Sequence, residues 1–179
     1  MVPKITNIIL LLFYIVSCNI FTTMAQELTV RIATRDDAIT IHELHIRSVW
    51  ELCKEHYSTE QLHGWLDHRT PEGYYQDIDK GMFFVAMDGS EVIGFGGAIP
   101  GEILAIYVTP DRIKEGIGTI MLQHGMDIGK RDSSIVILDA TLNSVGFYQK
   151  YGFTEVEKKF IRRGNTELPC ILMEYANLT

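Results

Sequence analysis

Glu102-Ile-Leu-Ala-Ile-Tyr-Val-Thr-Pro-Asp-Arg-Ile-Lys-Glu-Gly-Ile-Gly118, followed by Thr119-Ile-Met-Leu-Gln-His124 and running to Lys130, is the stretch whose reading decides the fold. Its β-branched and aromatic residues through Val108 predict a strand. The pattern breaks at Thr109-Pro110-Asp111, carries Gly116 and Gly118 one residue apart, and resumes with Ile117, Ile120, Met121 and Ile128 at helical spacing. Strand, glycine loop and helix together offer bare backbone N–H groups and a positive helix end to a phosphate. A Gly-x-Gly pair alone is a short signal, since many such pairs only relieve a tight turn.

The 179 residues suit one domain with a proper core. Hydrophobic residues at 46% and charged residues at 22% are globular proportions. A net charge of −7 argues against nucleic-acid binding and favours cationic or amine-bearing partners. Cys18, Cys53 and Cys170 are widely spaced and form neither a metal nor a disulfide framework. Cys53 and Cys170 read as a reduced, buried pair, with a bridge between them as the alternative. His42, His45, His56, His63 and His68 match no ligand spacing, so no metal is expected.

Residues 1–25 read as a leader and residues 26–179 as the domain. The apolar run Ile8 to Val16 lies behind Lys4 and is shorter than the ~20 residues that span a bilayer. It has the proportions of a secretory signal. Ile15-Val-Ser-Cys18 resembles a lipoprotein cleavage box, whereas Met24 offers a natural internal start. A mis-called start, a signal and a packed extension all remain open, and only a true lipoprotein signal would bring the chain to a membrane.

Within the body, Leu28 to Ile32 predicts a strand. Thr34-Arg-Asp-Asp37 is a capping box opening a helix with Ala38, Ile41, Leu44, Leu52 and Cys53 inward. Ser58-Thr-Glu-Gln61 opens a second helix through Trp65, and Thr70-Pro71 a third short one. Met82–Met87 and Val92–Ile99 form a hairpin about Asp88-Gly89. Ile135–Asp139 reads as an apolar strand and Ser144–Tyr151 as a short helix. Phe153–Ile161 and Leu168–Tyr175 form a closing hairpin. The result is an α/β (α+β) chain with a mixed sheet and helices on its faces.

Two motifs carry a family resemblance: Tyr107-Val-Thr-Pro-Asp-Arg-Ile-Lys-Glu-Gly-Ile-Gly-Thr119, and Asn143-Ser-Val-Gly-Phe-Tyr-Gln-Lys-Tyr-Gly-Phe153. In this order they resemble the acetyl-CoA loop and the second CoA-contacting helix of the GCN5-related N-acetyltransferases (GNAT). The resemblance covers about Leu28 to Tyr175. It implies a sheet of about seven strands, splayed between the fourth and fifth, with acetyl-CoA as co-substrate. The loop departs from the usual Gln/Arg-x-x-Gly-x-Gly/Ala. Ile113 takes the Gln/Arg position, Arg112 lies one residue early, Lys114 replaces a further glycine, and Glu115 stands where a basic residue is common.

The resemblance implies that main-chain groups of Ile106, Tyr107 and Val108 pair with the pantetheine arm. It implies a pyrophosphate site along Arg112, Lys114, Glu115, Gly116, Ile117, Gly118 and Thr119, with Asn143 steadying the arm. Tyr148 is expected as general acid toward the sulfur and also as a cofactor contact. Glu102 is expected as base, against the alternative of an exposed carboxylate after Pro100-Gly101. His45, Arg47, Ser48, Trp50, Tyr57, Gln61 and Trp65 gather where an acceptor pocket is expected. Arg162 and Arg163 read as surface charge. The implied activity is direct acetyl transfer to a primary amine of a small molecule or peptide, because no cysteine falls in either motif. The alternative is a CoA-binding sensor without turnover. A cytosolic donor implies a cytoplasmic protein, with export or lipid anchoring the alternative that the leader raises; homodimerisation is left open.

Overall fold

The computed structural model describes residues 28–176, so the leader reading at 1–25 lies outside the described residues. One seven-stranded sheet organises the chain. Its strands are β1 (Leu28–Ile32), β2 (Phe83–Asp88), β3 (Glu91–Ile99), β4 (Glu102–Val108), β5 (Ile135–Thr141), β6 (Thr154–Arg163) and β7 (Thr166–Ala176). The helices are α1 (Ala38–Cys53), α2 (Thr59–Leu66), α3 (Tyr75–Asp79), α4 (Ile117–Gly129) and α5 (Val145–Lys150). The spatial order is β1-β2-β3-β4-β5-β7-β6. Every pairing is antiparallel except β4 with β5, which run parallel for two rungs only, Glu102 opposite Ile137 and Ile103 opposite Leu138. This is the splayed mixed sheet expected of the GNAT fold.

Period-two alternation sends β2 side chains to opposite layers. Phe83, Val85 and Met87 pack with Ala38, Ile41 and Leu44 of α1, while Phe84 and Ala86 meet Ile117 and Met121 of α4. Each such large side chain, fully buried, contributes roughly 1.5–3 kcal/mol. Both layers continue past the split. Leu122 and Met126 of α4 pack with Ile103 before the gap and with Val136, Leu138, Ile171 and Met173 beyond it. On the other face Val49 and Cys53 of α1 join Leu62, Trp65 and Leu66 of α2 and Leu168 of β7. The two halves are therefore held together by helices rather than by strand pairing.

In β4 the register slips. Gly97 faces Ala105 and Ala98 faces Ile103, so Leu104 is an extra residue. The bulge re-aims the strand: Ile103, Ile106 and Val108 all pack toward α4, while Ala105 and Tyr107 pack toward α1.

Several apolar residues of these elements face outward, and the first helix starts differently from its expected form. Ile120 of α4 is 39% exposed, and the inward stripe is completed by Leu122 and Met126. Ile135 and Ile137 face solvent at 45% and 36%, because only alternate residues of β5 meet the α4 layer. The predicted first helix begins instead as a 3-10 turn, Arg35–Asp37, and its capping box is made by Asp37, which accepts from the Thr34 N–H at 2.8 Å and from the Thr34 hydroxyl at 3.0 Å.

Asp37 also takes a bidentate pair of 2.7 Å bonds from Arg31. Arg31 and Thr34 hold this buried carboxyl down from its ordinary 3.8 to about 2. A depressed carboxylate contributes stability above its unfolded value and loses it as pH falls through the folded value. Asp37→Asn is expected to cost about 2 kcal/mol at pH 7. Denaturant titrations should show that deficit shrinking between pH 4 and pH 2; a deficit independent of pH would mean the pair is not its source.

Candidate functional site

Past Ile103 the edge of β4 facing β5 has no strand to pair with. The opening is a cleft of about 740 Å³, walled by β4 from Ile103 to Val108, by Leu138, Asp139 and Thr141 of β5, and by the loop and first turn of α4. The size is that of a small-molecule site. Free main-chain groups along one wall suit a ligand that adds to the sheet as an extended strand would.

The loop ends in a helix start built for an anion. Gly116 caps α4 at φ +87°, a left-handed conformation open to glycine at little cost. Main-chain N–H groups from Lys114 to Gly118 have no acceptor among the described residues, and they lie at the positive end of a helix of 13 residues. Lys114 has φ +70°, so the position where the family places a further glycine keeps the glycine-like geometry. Gly118 differs: a Cβ there would meet nothing closer than Phe147 at 3.6 Å, so the protein itself leaves room. Its bareness faces the cleft.

The loop's charges are arranged in a way that sequence alone does not display. Arg112 donates from Nε to Glu115 at 2.6 Å and from Nη2 to Asp88 at 3.0 Å. Arg47 holds Asp111 at 2.6 Å and Glu51 at 2.8 Å. Arg112 is thus a brace with its charge compensated, and Glu115 is drawn onto it. Lys114 lines the cleft without a carboxylate among the described residues.

Tyr148 of α5 sits in the same wall, 7% exposed, and burial beside Tyr107 pushes its hydroxyl pKa well up. It stays protonated across the physiological range. Its helix is braced from three sides. Thr119 and Tyr151 hydroxyls lie 2.5 Å apart. The Tyr57 hydroxyl accepts from the Leu142 N–H at 3.0 Å and donates to the Pro169 carbonyl at 2.9 Å. The Cys53 thiol donates to Asn143 Oδ1 at 3.5 Å. Cys53 and Cys170 are both free and line the cleft. Burial raises both thiols, Cys53 to about 11, which makes them poor nucleophiles.

The cleft wall gathers Ile106, Tyr107, Val108, Arg112, Lys114, Gly116, Gly118, Thr119, Asn143 and Tyr148 of the expected residues. Three do not line it. Ile117 is 1% exposed in the α4 core, and the Glu115 side chain turns onto Arg112. Glu102 is the first residue of β4, in the paired rungs at the closed end of the split, ~20 Å along the strand from Val108. The carboxylate that does line the cleft is Asp139, where Lys159 Nζ approaches it at 2.7 Å. Asp139 was missed because it sits in an apolar strand outside both motifs; the polar residue at alternate spacing was the available signal.

Of the expected acceptor residues, Ser48, Tyr57 and Trp65 line the cleft, and His45 backs it, its ring 4.3 Å from that of Tyr107. Burial, helped by Arg69 and Arg163, holds His45 well below its usual pKa and therefore neutral. Arg47 is engaged with the loop, Trp50 packs on His63, and Gln61 caps α2. Arg163, expected as surface charge, lines the cleft. Among the described residues no three His, Cys, Asp or Glu side chains gather as a metal set, and no helix is long and apolar enough to cross a membrane.

Tyr57→Phe should cost about 1–3 kcal/mol, because the Leu142 N–H and the Pro169 carbonyl both lose their partner. Chemical unfolding measures this directly, and a loss below 0.5 kcal/mol, in the range of an exposed substitution, would deny the brace.

Comparison with known proteins gives the site its context. A family model described as an acetyltransferase (GNAT) domain matches residues 53–173. YafP, an uncharacterized N-acetyltransferase of Escherichia coli, is 25% identical over 117 residues, 65% of this chain and 74% of that protein. An uncharacterized N-acetyltransferase of Methanocaldococcus jannaschii is 29% identical over 144 residues, 75% of this chain but only 64% of that longer relative. The PaiA N-acetyltransferase of Thermoplasma acidophilum, solved with coenzyme A, superposes with a TM-score of 0.70 at 24% identity, over 84% of this chain and 99% of that one, a likeness of fold. With two-thirds of its length under the family model, the chain belongs to the GNAT acetyltransferase-domain family.

Proposed function

We propose that the chain moves an acetyl group from acetyl-CoA to a primary amine of a small molecule or peptide, by direct transfer in a ternary complex. One observation carries this reading: the unpaired edge of β4 leads to the free N–H groups at the start of α4, with Tyr148 in the same wall. Acetyl-CoA, when bound, supplies a thioester whose acyl carbon is open to an amine. The β4 edge from Leu104 to Val108 would hold the pantetheine arm, and the N–H groups of Lys114 to Gly118, with the Lys114 ammonium, the pyrophosphate.

The chain's own part in the chemistry is modest. An amine attacks only when neutral, so a base near the acceptor speeds the step. We assign that role to Asp139 rather than Glu102, because Asp139 is the carboxylate in the cleft wall. As the C–N bond forms and the C–S bond breaks, the departing sulfur needs a proton. Tyr148, kept as a phenol by burial, would give it. The raised cleft thiols support direct transfer over an acetylated cysteine. Much of the remaining rate would come from alignment of the two substrates.

A second reading is favoured by the compensated Arg112. With that cation tied to Asp88 and Glu115, the loop departs from the family's pattern, and the sensor reading is that such a chain keeps CoA binding through its N–H groups and has lost turnover.

Calorimetric titration with acetyl-CoA and CoA, followed by thiol release across amines and peptides, separates the two. Binding with release supports transfer, binding without release on any acceptor supports the sensor, and no binding removes both. Tyr148→Phe and Asp139→Asn should each lower the rate of the chemical step by about 10²-fold or more, with CoA affinity unchanged, whereas Glu102→Gln should keep its rate. The reverse ranking of Asp139 and Glu102 would return the base to β4. Gly116→Val should abolish CoA binding, since a β-branched residue strains the left-handed cap.

A further inference from the structure

Beside the cleft lies a smaller pocket of about 280 Å³, lined by Trp65, His68, Arg69, Thr70, Gly73, Tyr74 and Gly164. Trp65 belongs to the walls of both. The chain builds this pocket deliberately. The β6–β7 turn docks on α2, with the Asn165 N–H donating to the Gly64 carbonyl at 2.9 Å. At Gly164 a Cβ would fall 2.2 Å from that same carbonyl, so only glycine permits the closure. His42 Nε2 lies 3.0 Å from the Arg69 carbonyl and pins the other side.

The pocket is short of acceptors. Trp65 is 2% exposed, and its indole N–H has no hydrogen-bond partner among the described residues. The same is true of Arg69 Nε. Neither Arg69 nor Arg163 is paired with a carboxylate among the described residues, although Arg47 of α1 and Arg112 of the loop each hold two. Arg69 lines this pocket and Arg163 lines the cleft, and Trp65 stands in the wall between them. The one carboxylate of the cleft wall, Asp139, is matched by Lys159. Unpartnered buried donors are costly. In a chain of net charge −7, Arg69 in this pocket and Arg163 in the adjoining cleft, on either side of Trp65 and without a carboxylate among the described residues, favour an anion.

We propose that the acceptor amine carries an oxyanion, a carboxylate or a phosphate, which seats beside Trp65 between Arg69 and Arg163 while the amine reaches Asp139 and Tyr148. This rests on the acetyl-transfer reading for the amine end only. Rung positions along β7 set the spacing: Asp139 stands opposite Leu172 and Arg163 opposite Thr166. Six residues of strand are ~20 Å, which an arginine side chain closes in part. The acceptor is therefore extended, with its anion many bonds from the amine, and an α-amino acid is too short.

The test uses the full chain with saturating CoA and isothermal titration calorimetry. The probes are 6-aminohexanoate, its neutral primary amide and 5-aminopentylphosphonate, then Gly-Gly-Gly and its amide. The anionic member of a pair should bind at least tenfold more tightly than the amide, and the better of carboxylate and phosphonate names the source. Arg69→Gln and Arg163→Gln should each remove at least fivefold of that preference with amide binding unchanged, and Arg163→Lys should restore part of it; thermal melts confirm folding. Amides that bind as well as the anions overturn the proposal, as does a preference that survives both substitutions. Thiol release is read separately. Anion-selective binding without release defeats the transfer reading and leaves this one standing, while release without anion preference does the opposite.

Discussion

Two parallel rungs between β4 and β5, and then none, set the terms for the rest of this molecule. A sheet that stops pairing midway exposes main-chain groups that must find another partner, since an unpaired buried N–H or C=O is expensive. The cleft follows from that divergence. So does the demand for a polar, extended ligand along it. Cohesion across the gap comes from Leu122 and Met126 of α4 on one face and from α1 and α2 on the other. The fold can afford the opening because apolar burial, which is non-directional, replaces strand pairing that is not.

Electrostatics divide the cleft. At the α4 end, cations are mostly compensated: Arg112 by Asp88 and Glu115, Arg47 by Asp111 and Glu51. Attraction for an anion there falls to backbone N–H groups, the helix end and Lys114. Elsewhere Arg163 lines the cleft and Arg69 the pocket that adjoins it at Trp65, neither with a carboxylate partner among the described residues. Which of these cations lacks a carboxylate partner is therefore set by packing rather than by residue type.

Legibility in the sequence followed the range of the interaction. Capping at Thr34 and Ser58, the Asp88-Gly89 turn and the strand–loop–helix at 102–130 are local, and they were readable because their partners lie within a few residues. The placement of Gly116 and Tyr148 in one wall was also readable, since two spaced motifs named it. Three site features were not. Glu102 looked like a base by its spacing, yet a bulge at Leu104 and its place in the paired rungs keep it out of the cleft. Asp139 was hidden in an apolar run, and Arg163 looked like turn charge until the β6–β7 turn docked on α2.

By itself the sequence determined the element order, the glycine loop and the family, because periodicity, caps and left-handed positions are written in adjacent residues. Tertiary structure alone decided which charges are free. Arg112 finds Asp88 across 24 residues, and Arg69 is brought to a pocket that shares Trp65 with the cleft Arg163 lines. Net charge gave the opposite impression of the region around Arg69 and Arg163. Charge is a property of composition, whereas compensation depends on distances of a few ångströms that only the packed chain sets.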